Sequence, residues 1–146
     1  MKALRVVLVA GVVLVLAIGT VAYLGLNGFE RSMCGVSVVR RVGSPDGRLE
    51  AVIFERDCGA TTDFGTGLSV VRVGRQVGNH VGNVLVADSD HGRAPLDSGN
   101  VIRLSVQWIG SDSLIVRYDR RARVFQQHAS AEGVSVRYIP VDERGA

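Results

Sequence analysis

Cys34 and Cys58 are the only two cysteines of the chain, and such a pair has two chemistries open to it. Joined, they would close a loop of about 25 residues and stabilise the fold by about 3 kcal/mol, through entropy removed from the unfolded chain. Left apart, Cys58 could serve as a nucleophile, with a histidine as base and the amides of Gly59 and Ala60 as oxyanion donors. Nothing in the sequence sets His80, His91 or His128 beside it, and a disulfide partner exists, so the bridge is the expected state. A second cluster is Asp88-Ser-Asp-His-Gly92. Asp88, Asp90 and His91 could hold a cation weakly, but calcium wants more oxygens and zinc more histidines or cysteines. A solvated turn after a strand is the plainer reading. A third is Asp119-Arg-Arg-Ala-Arg123, where Arg120, Arg121 and Arg123 could meet lipid headgroups, an acidic partner or cell-wall polymer. The same charges would also blunt an edge strand against aggregation. The fourth surrounds Cys58. Arg56, Asp57, Thr61, Thr62 and Asp63 form the densest polar group and could be a recognition loop, although threonines in tight loops often only satisfy backbone groups. No phosphate-binding glycine loop, paired catalytic carboxylates, haem motif or serine-hydrolase elbow occurs. The sequence thus nominates no catalytic residue and no cofactor.

The elements that must position these groups are short strands. Ser44-Pro-Asp-Gly47 is a turn, because proline presets φ, Asp46 can bond its own backbone and Gly47 accepts a positive φ. From Leu49 to Phe54 the period is two while both faces are apolar, which predicts an interior strand over about 48–56, covered on both sides. A first strand spans Val36 to Val42, with Val36 and Val38 on one face. A third spans Leu68 to Val73, and a fourth, short and apolar, Val84 to Ala87. Gly74 to Gly82 is a connection, and Asp88 to Asn100 is the longest expected loop. Val101 to Trp108 alternates most clearly, with Ile102, Leu104, Val106 and Trp108 on one side. Ile109 to Ser113 then turns the chain into Leu114 to Tyr118, so 101–118 is a predicted β-hairpin. Asp119 to His128 has no clear period, and Gly133 to Tyr138 is a last strand. About seven strands with no amphipathic helix between them predict an all-β fold, a small antiparallel sandwich or curved sheet. A propeller would need at least four blades of about 40 residues each.

Val6 to Leu26 carries no charge, and Lys2 and Arg5 precede it. A helix of that length would rise about 30 Å, enough to cross a bilayer core, and the preceding cations would keep the N-terminus in the cytoplasm. A cleaved signal peptide is the alternative, with Thr20-Val21-Ala22 as its cleavage site, but the apolar run continues past it. Cys34 lies too far beyond the run for lipoprotein attachment. The expected organisation is therefore an anchor over 1–26, a linker over 27–33, a β domain over 34–140 and a tail over 141–146. Lys2 and Arg5 account for two of the 17 basic residues, so 15 face 14 acidic ones in the remainder. That balance, about +1, argues against nucleic acid as a partner.

Ser44-Pro-Asp-Gly47, Ala51 to Thr62 with its Arg-Asp-Cys-Gly-Ala-Thr-Thr run, Gly82 to Asp88, Val106-Gln-Trp108, Val116-Arg-Tyr118 and Ala122-Arg-Val-Phe125 together resemble a family of small bacterial exported or membrane-anchored proteins of unknown function. The resemblance covers about residues 34–138. It implies export and a single β domain, and lends no activity. The expected protein is thus a single-pass envelope component with its domain in the periplasm or outside the cell. It is expected to be a non-catalytic binding or accessory module for an envelope protein partner. Weak cation binding through Asp88, Asp90 and His91, and thiol chemistry at Cys58, are the alternatives.

Overall fold

The computed structural model describes residues 11–24, 34–59, 65–78 and 81–142. It divides into two units, Met1–Met33 and Cys34–Ala146. In the first, residues 11–24 are helical. Their large apolar side chains are exposed, from 59% at Val12 to 71% at Val21. Fourteen residues rise about 21 Å, and among the described residues no helix is long and apolar enough to cross a membrane. The described helix is therefore shorter than the predicted 6–26 span. Residues 6–10 and 25–26, and the predicted linker, lie outside the described residues.

The second unit is all-β, as predicted. Eleven strands are described where about seven were expected. They are β1 (Gly35–Gly43), β2 (Leu49–Asp57), β3 (Gly65–Arg72), β4 (Leu85–Asp88), β5 (Leu96–Asp97), β6 (Val101–Ile102), β7 (Leu104–Trp108), β8 (Ser113–Asp119), β9 (Arg123–Gln127), β10 (Ser130–Ala131) and β11 (Val134–Val141). One sheet has the order β1-β2-β3-β4-β9, a second β10-β11-β8-β7, and β5 pairs with β6. Ala51, Ile53, Leu68, Val70, Leu85 and Ala87 of the first sheet share one buried core with Leu104, Leu114, Val116 and Val134 of the second.

The turn at Ser44 forms as its chemistry requires. Gly47 N donates to Ser44 O at 2.9 Å, and Gly47 has φ +70°. Ser44 Oγ donates to Asp46 Oδ1 at 2.7 Å. That bond and the Arg48 guanidinium hold the Asp46 carboxyl down at about 2. β2 is interior, between β1 and β3, and every residue from Glu50 to Phe54 is buried. Ala51 and Ile53 enter the main core, while Val52 and Phe54 on the opposite face pack with Val77, helped by Val36 and Val71. The connection after β3 supplies that outer cover. It is tied down by Glu50, which pairs with Arg41 and accepts from Gly74 N at 3.2 Å.

Three features depart from the expected pattern. In β1 the register shifts between Val38 and Arg40. Val39 packs on the main core, leaving Val38 45% exposed; an extra residue in a strand redirects the side chains beyond it. The predicted strand 101–108 breaks at Arg103, because Val101 and Ile102 pair with Leu96 and Asp97 from within the expected long loop. Val101 is buried along with Ile102 for that reason. Finally, β11 runs parallel to β8, with Ser135 opposite Ser113 and Val141 opposite Asp119. The chain leaves β8, adds β9 to the first sheet and returns, so the sheets are not wholly antiparallel.

Tyr138 of β11 locks that return. Its hydroxyl lies 2.7 Å from Val84 O and 2.8 Å from His128 O, with one proton to share between them. Burial pushes its pKa from 10.0 up to about 12. A raised folded-state pKa contributes stability that is complete below the unfolded value and is lost as pH rises through the folded one. Stability is therefore expected to fall between pH 10 and pH 12. Tyr138→Phe should cost about 1 kcal/mol at neutral pH and flatten that alkaline decline. Denaturant titrations of both proteins at neutral and alkaline pH test this, and an equally steep decline in the variant would refute the assignment.

Candidate functional site

Cys34 and Cys58 are bonded, with Cα atoms 4.1 Å apart. The bridge sits just beyond the last β1–β2 pair, Gly35 opposite Asp57, so the hairpin itself brings the sulfurs together. Because Cys58 sulfur is bonded to Cys34, it offers no thiolate, and the nucleophilic reading of Cys58 does not hold in this state. Asp57 Oδ1 accepts from Gly59 N at 2.8 Å and so starts the loop that follows. Thr61, Thr62 and Asp63 of the predicted recognition loop lie outside the described residues.

The cation reading of Asp88, Asp90 and His91 meets a different arrangement. Asp88 is buried on β4, and both its oxygens face the Arg123 guanidinium of β9, with Arg123 Nε to Oδ1 at 3.1 Å and Arg123 Nη2 on Oδ2. Asp88 Oδ1 also accepts from Asp90 N at 2.9 Å, and Asp90 pairs with Arg93 at 2.9 Å. Among the described residues no group of three or more histidine, cysteine, aspartate or glutamate side chains could hold a metal ion. The turn is built for another end. Asp90 and His91 have φ of +51° and +58°, a conformation that costs a non-glycine residue on the order of 1 kcal/mol or more. Bonds from Gly92 N to Ser89 Oγ at 2.8 Å and from Ala94 N to Ser89 O at 2.9 Å hold it.

The basic cluster is also largely neutralised. Arg120 pairs with Asp142, Arg121 with Asp119 and Arg123 with Asp88. The Asp119 side chain is 1% exposed, and the two guanidinium bonds from Arg121, at 2.9 and 2.8 Å, hold its carboxyl below the ordinary aspartate range. A patch whose cations each have a carboxylate partner presents little net charge.

What the structure adds is convergence. Arg56 and Cys58 from the disulfide region, Asp88 and His91 from the second cluster and Arg123 from the third all line one cavity of about 410 Å³. Its remaining walls are mostly apolar or bare: Val81, Val86, Ala87 and Phe125, with Thr66 between Gly65 and Gly67. Phe125 is 60% exposed, and the Arg123 guanidinium stacks 5.0 Å from its ring centre. Arg56 contributes the one buried side-chain polar atom among the described residues that has no hydrogen-bond partner, its Nε. Sequence reasoning missed Val81, Val86 and Phe125 as site residues. Phe125 lay in the segment without period, where the β4–β9 register shifts opposite Val86 and Ala87. Compared with protein-family models, curated proteins and solved structures, the chain matches none of them.

Proposed function

We propose that this protein is a binding module tethered to the bacterial cell membrane, with its β domain on the extracytoplasmic side and the cavity beside the disulfide as its binding site. The observation that carries the reading is the convergence of Arg56, Asp88, His91 and Arg123 with Val86 and Phe125 on one concavity. A few polar groups set among apolar walls, in a volume of several hundred Å³, is the usual make-up of a ligand site. The Cys34–Cys58 bridge is in keeping with an oxidising compartment. The uncharged run from Val6 to Leu26 behind Lys2 and Arg5 supports the tether, as does the resemblance to exported or anchored bacterial proteins. The bonded sulfur of Cys58 and the internally paired Asp88 favour a non-catalytic role.

Two measurements test the parts. Mass spectrometry of protein extracted from membranes should find an intact N-terminus and no cysteine alkylation before reduction. A photo-crosslinking residue at Phe125 should give a discrete adduct in intact cells, and one at Ser105, exposed on β7, should give none. A soluble, N-terminally trimmed protein would remove the tether. Equal labelling at both positions, or none at either, would remove the binding site.

A further inference from the structure

We infer that the cavity takes a small organic carboxylate with an apolar body, its head held by Arg56 and its body lying against Val86 and Phe125. The inference rests on the binding reading above and goes on to name the ligand's chemistry. The charges decide the head group. Within the cavity Arg123 and Asp88 compensate one another through a two-point ion pair. That leaves Arg56 as the cation without a carboxylate opposite it among the described lining residues. Its Nε is buried and without a hydrogen-bond partner among the described residues, a donor left in a costly condition that an added acceptor would relieve. A guanidinium presents Nε–H and one Nη–H as a parallel fork that matches the two oxygens of a carboxylate. Nε is closed off from water, so the half-buried Arg56 side chain must turn slightly to offer that edge, and binding should be felt at Nε itself. One uncompensated cation suits a singly charged head better than a dianionic phosphate, which would call for a second.

The walls decide the body. Phe125 is 60% exposed and Val81 45% exposed, and both face the cavity with Val86. Arg123, stacked on the Phe125 ring, holds that ring in place by a cation–π contact. Gly65 leaves backbone without a side chain in the wall, which lets a flat group approach closely there, whereas the bare face of Gly67 is already covered by the Phe54 ring. A volume of about 410 Å³ fits a small molecule and not a folded partner.

The test uses the full chain in detergent micelles with isotope-labelled arginine side chains, titrated with hydrocinnamate and followed at the Arg56 Nε–H resonance. A saturable shift is expected, with binding at least about tenfold weaker for the neutral amide hydrocinnamide, for acetate, and for hydrocinnamate with the R56Q variant. Unchanged backbone resonances in R56Q, outside the cavity, show that it folds. The inference is overturned by a stationary Nε–H resonance, by hydrocinnamide matching hydrocinnamate, which would make the charge irrelevant, or by acetate matching it, which would make the apolar wall irrelevant. A crosslinked adduct at Phe125 together with a silent titration would discard the carboxylate and keep the binding site. No adduct and no titration would discard both.

Discussion

Phe54→Ala is expected to lose about 3–5 kcal/mol of folding stability, the largest effect of any single side-chain truncation considered. Phe54 is 0% exposed and lies on the outer face of the first sheet, in the smaller cluster with Val52 and Val77. Its ring covers Gly67 so closely that a Cβ at Gly67 would sit 2.2 Å from the ring tip. Gly67 stands directly opposite Phe54 in the β2–β3 register, so the aromatic fills the space the glycine vacates. Gly67→Ala alone should therefore cost about 1–3 kcal/mol through overpacking, and less when combined with Phe54→Leu, which shortens the clashing side chain. A double-mutant cycle by urea denaturation, followed through the fluorescence of the single tryptophan, Trp108, measures that coupling. Additive losses would mean that the ring does not depend on the absent Cβ. Gly67 also lines the cavity, so the variants that keep their fold report whether this contact sets the shape of its wall.

Removing the Cys34–Cys58 bridge is expected to cost about 3 kcal/mol, within a range of about 2–5. The two residues are 24 apart in sequence, and in the folded domain the β1–β2 pairing already holds their backbones together. Most of the effect should then come from the unfolded chain, which gains freedom when the bond is lost. The double variant C34A/C58A and the reduced native protein should lose similar stability in urea, with Trp108 emission in the folded state unchanged. A loss below about 1 kcal/mol would rule out this entropic account. Because Cys58 is also part of the cavity wall, ligand affinity in the double variant is a separate readout. A fold that survives with a slackened cavity would place the bridge in the site as well as in the scaffold.

The local chemistry of the chain determined several elements unaided. The reversal at Ser44 needed only proline, aspartate and glycine in that order, and the bonds among Ser44, Asp46 and Arg48 are the ones those side chains can make at short range. β2 was recognisable because both of its faces are apolar, and the β7–β8 hairpin because Leu104 pairs with Tyr118 and Trp108 with Leu114 across a turn the sequence announces. The disulfide followed from counting to two. Tertiary structure alone decided the partners that sit far apart along the chain. β9 has no periodic pattern, since its register shifts beside Phe125, and it exists as a strand because β4 offers an edge. Period two says which face a side chain takes and nothing about strand direction, so the parallel pairing of β11 with β8 left no trace in the alternation of either. The cavity is the same case. Arg123 reaches Asp88 across 35 residues, and Arg56 joins them because β2, β3, β4 and β9 are consecutive neighbours in one sheet. Spacing along a chain encodes contacts that one turn or one hairpin can close; long-range neighbours are chosen by packing the whole domain, after the cost of closing every intervening loop has been met.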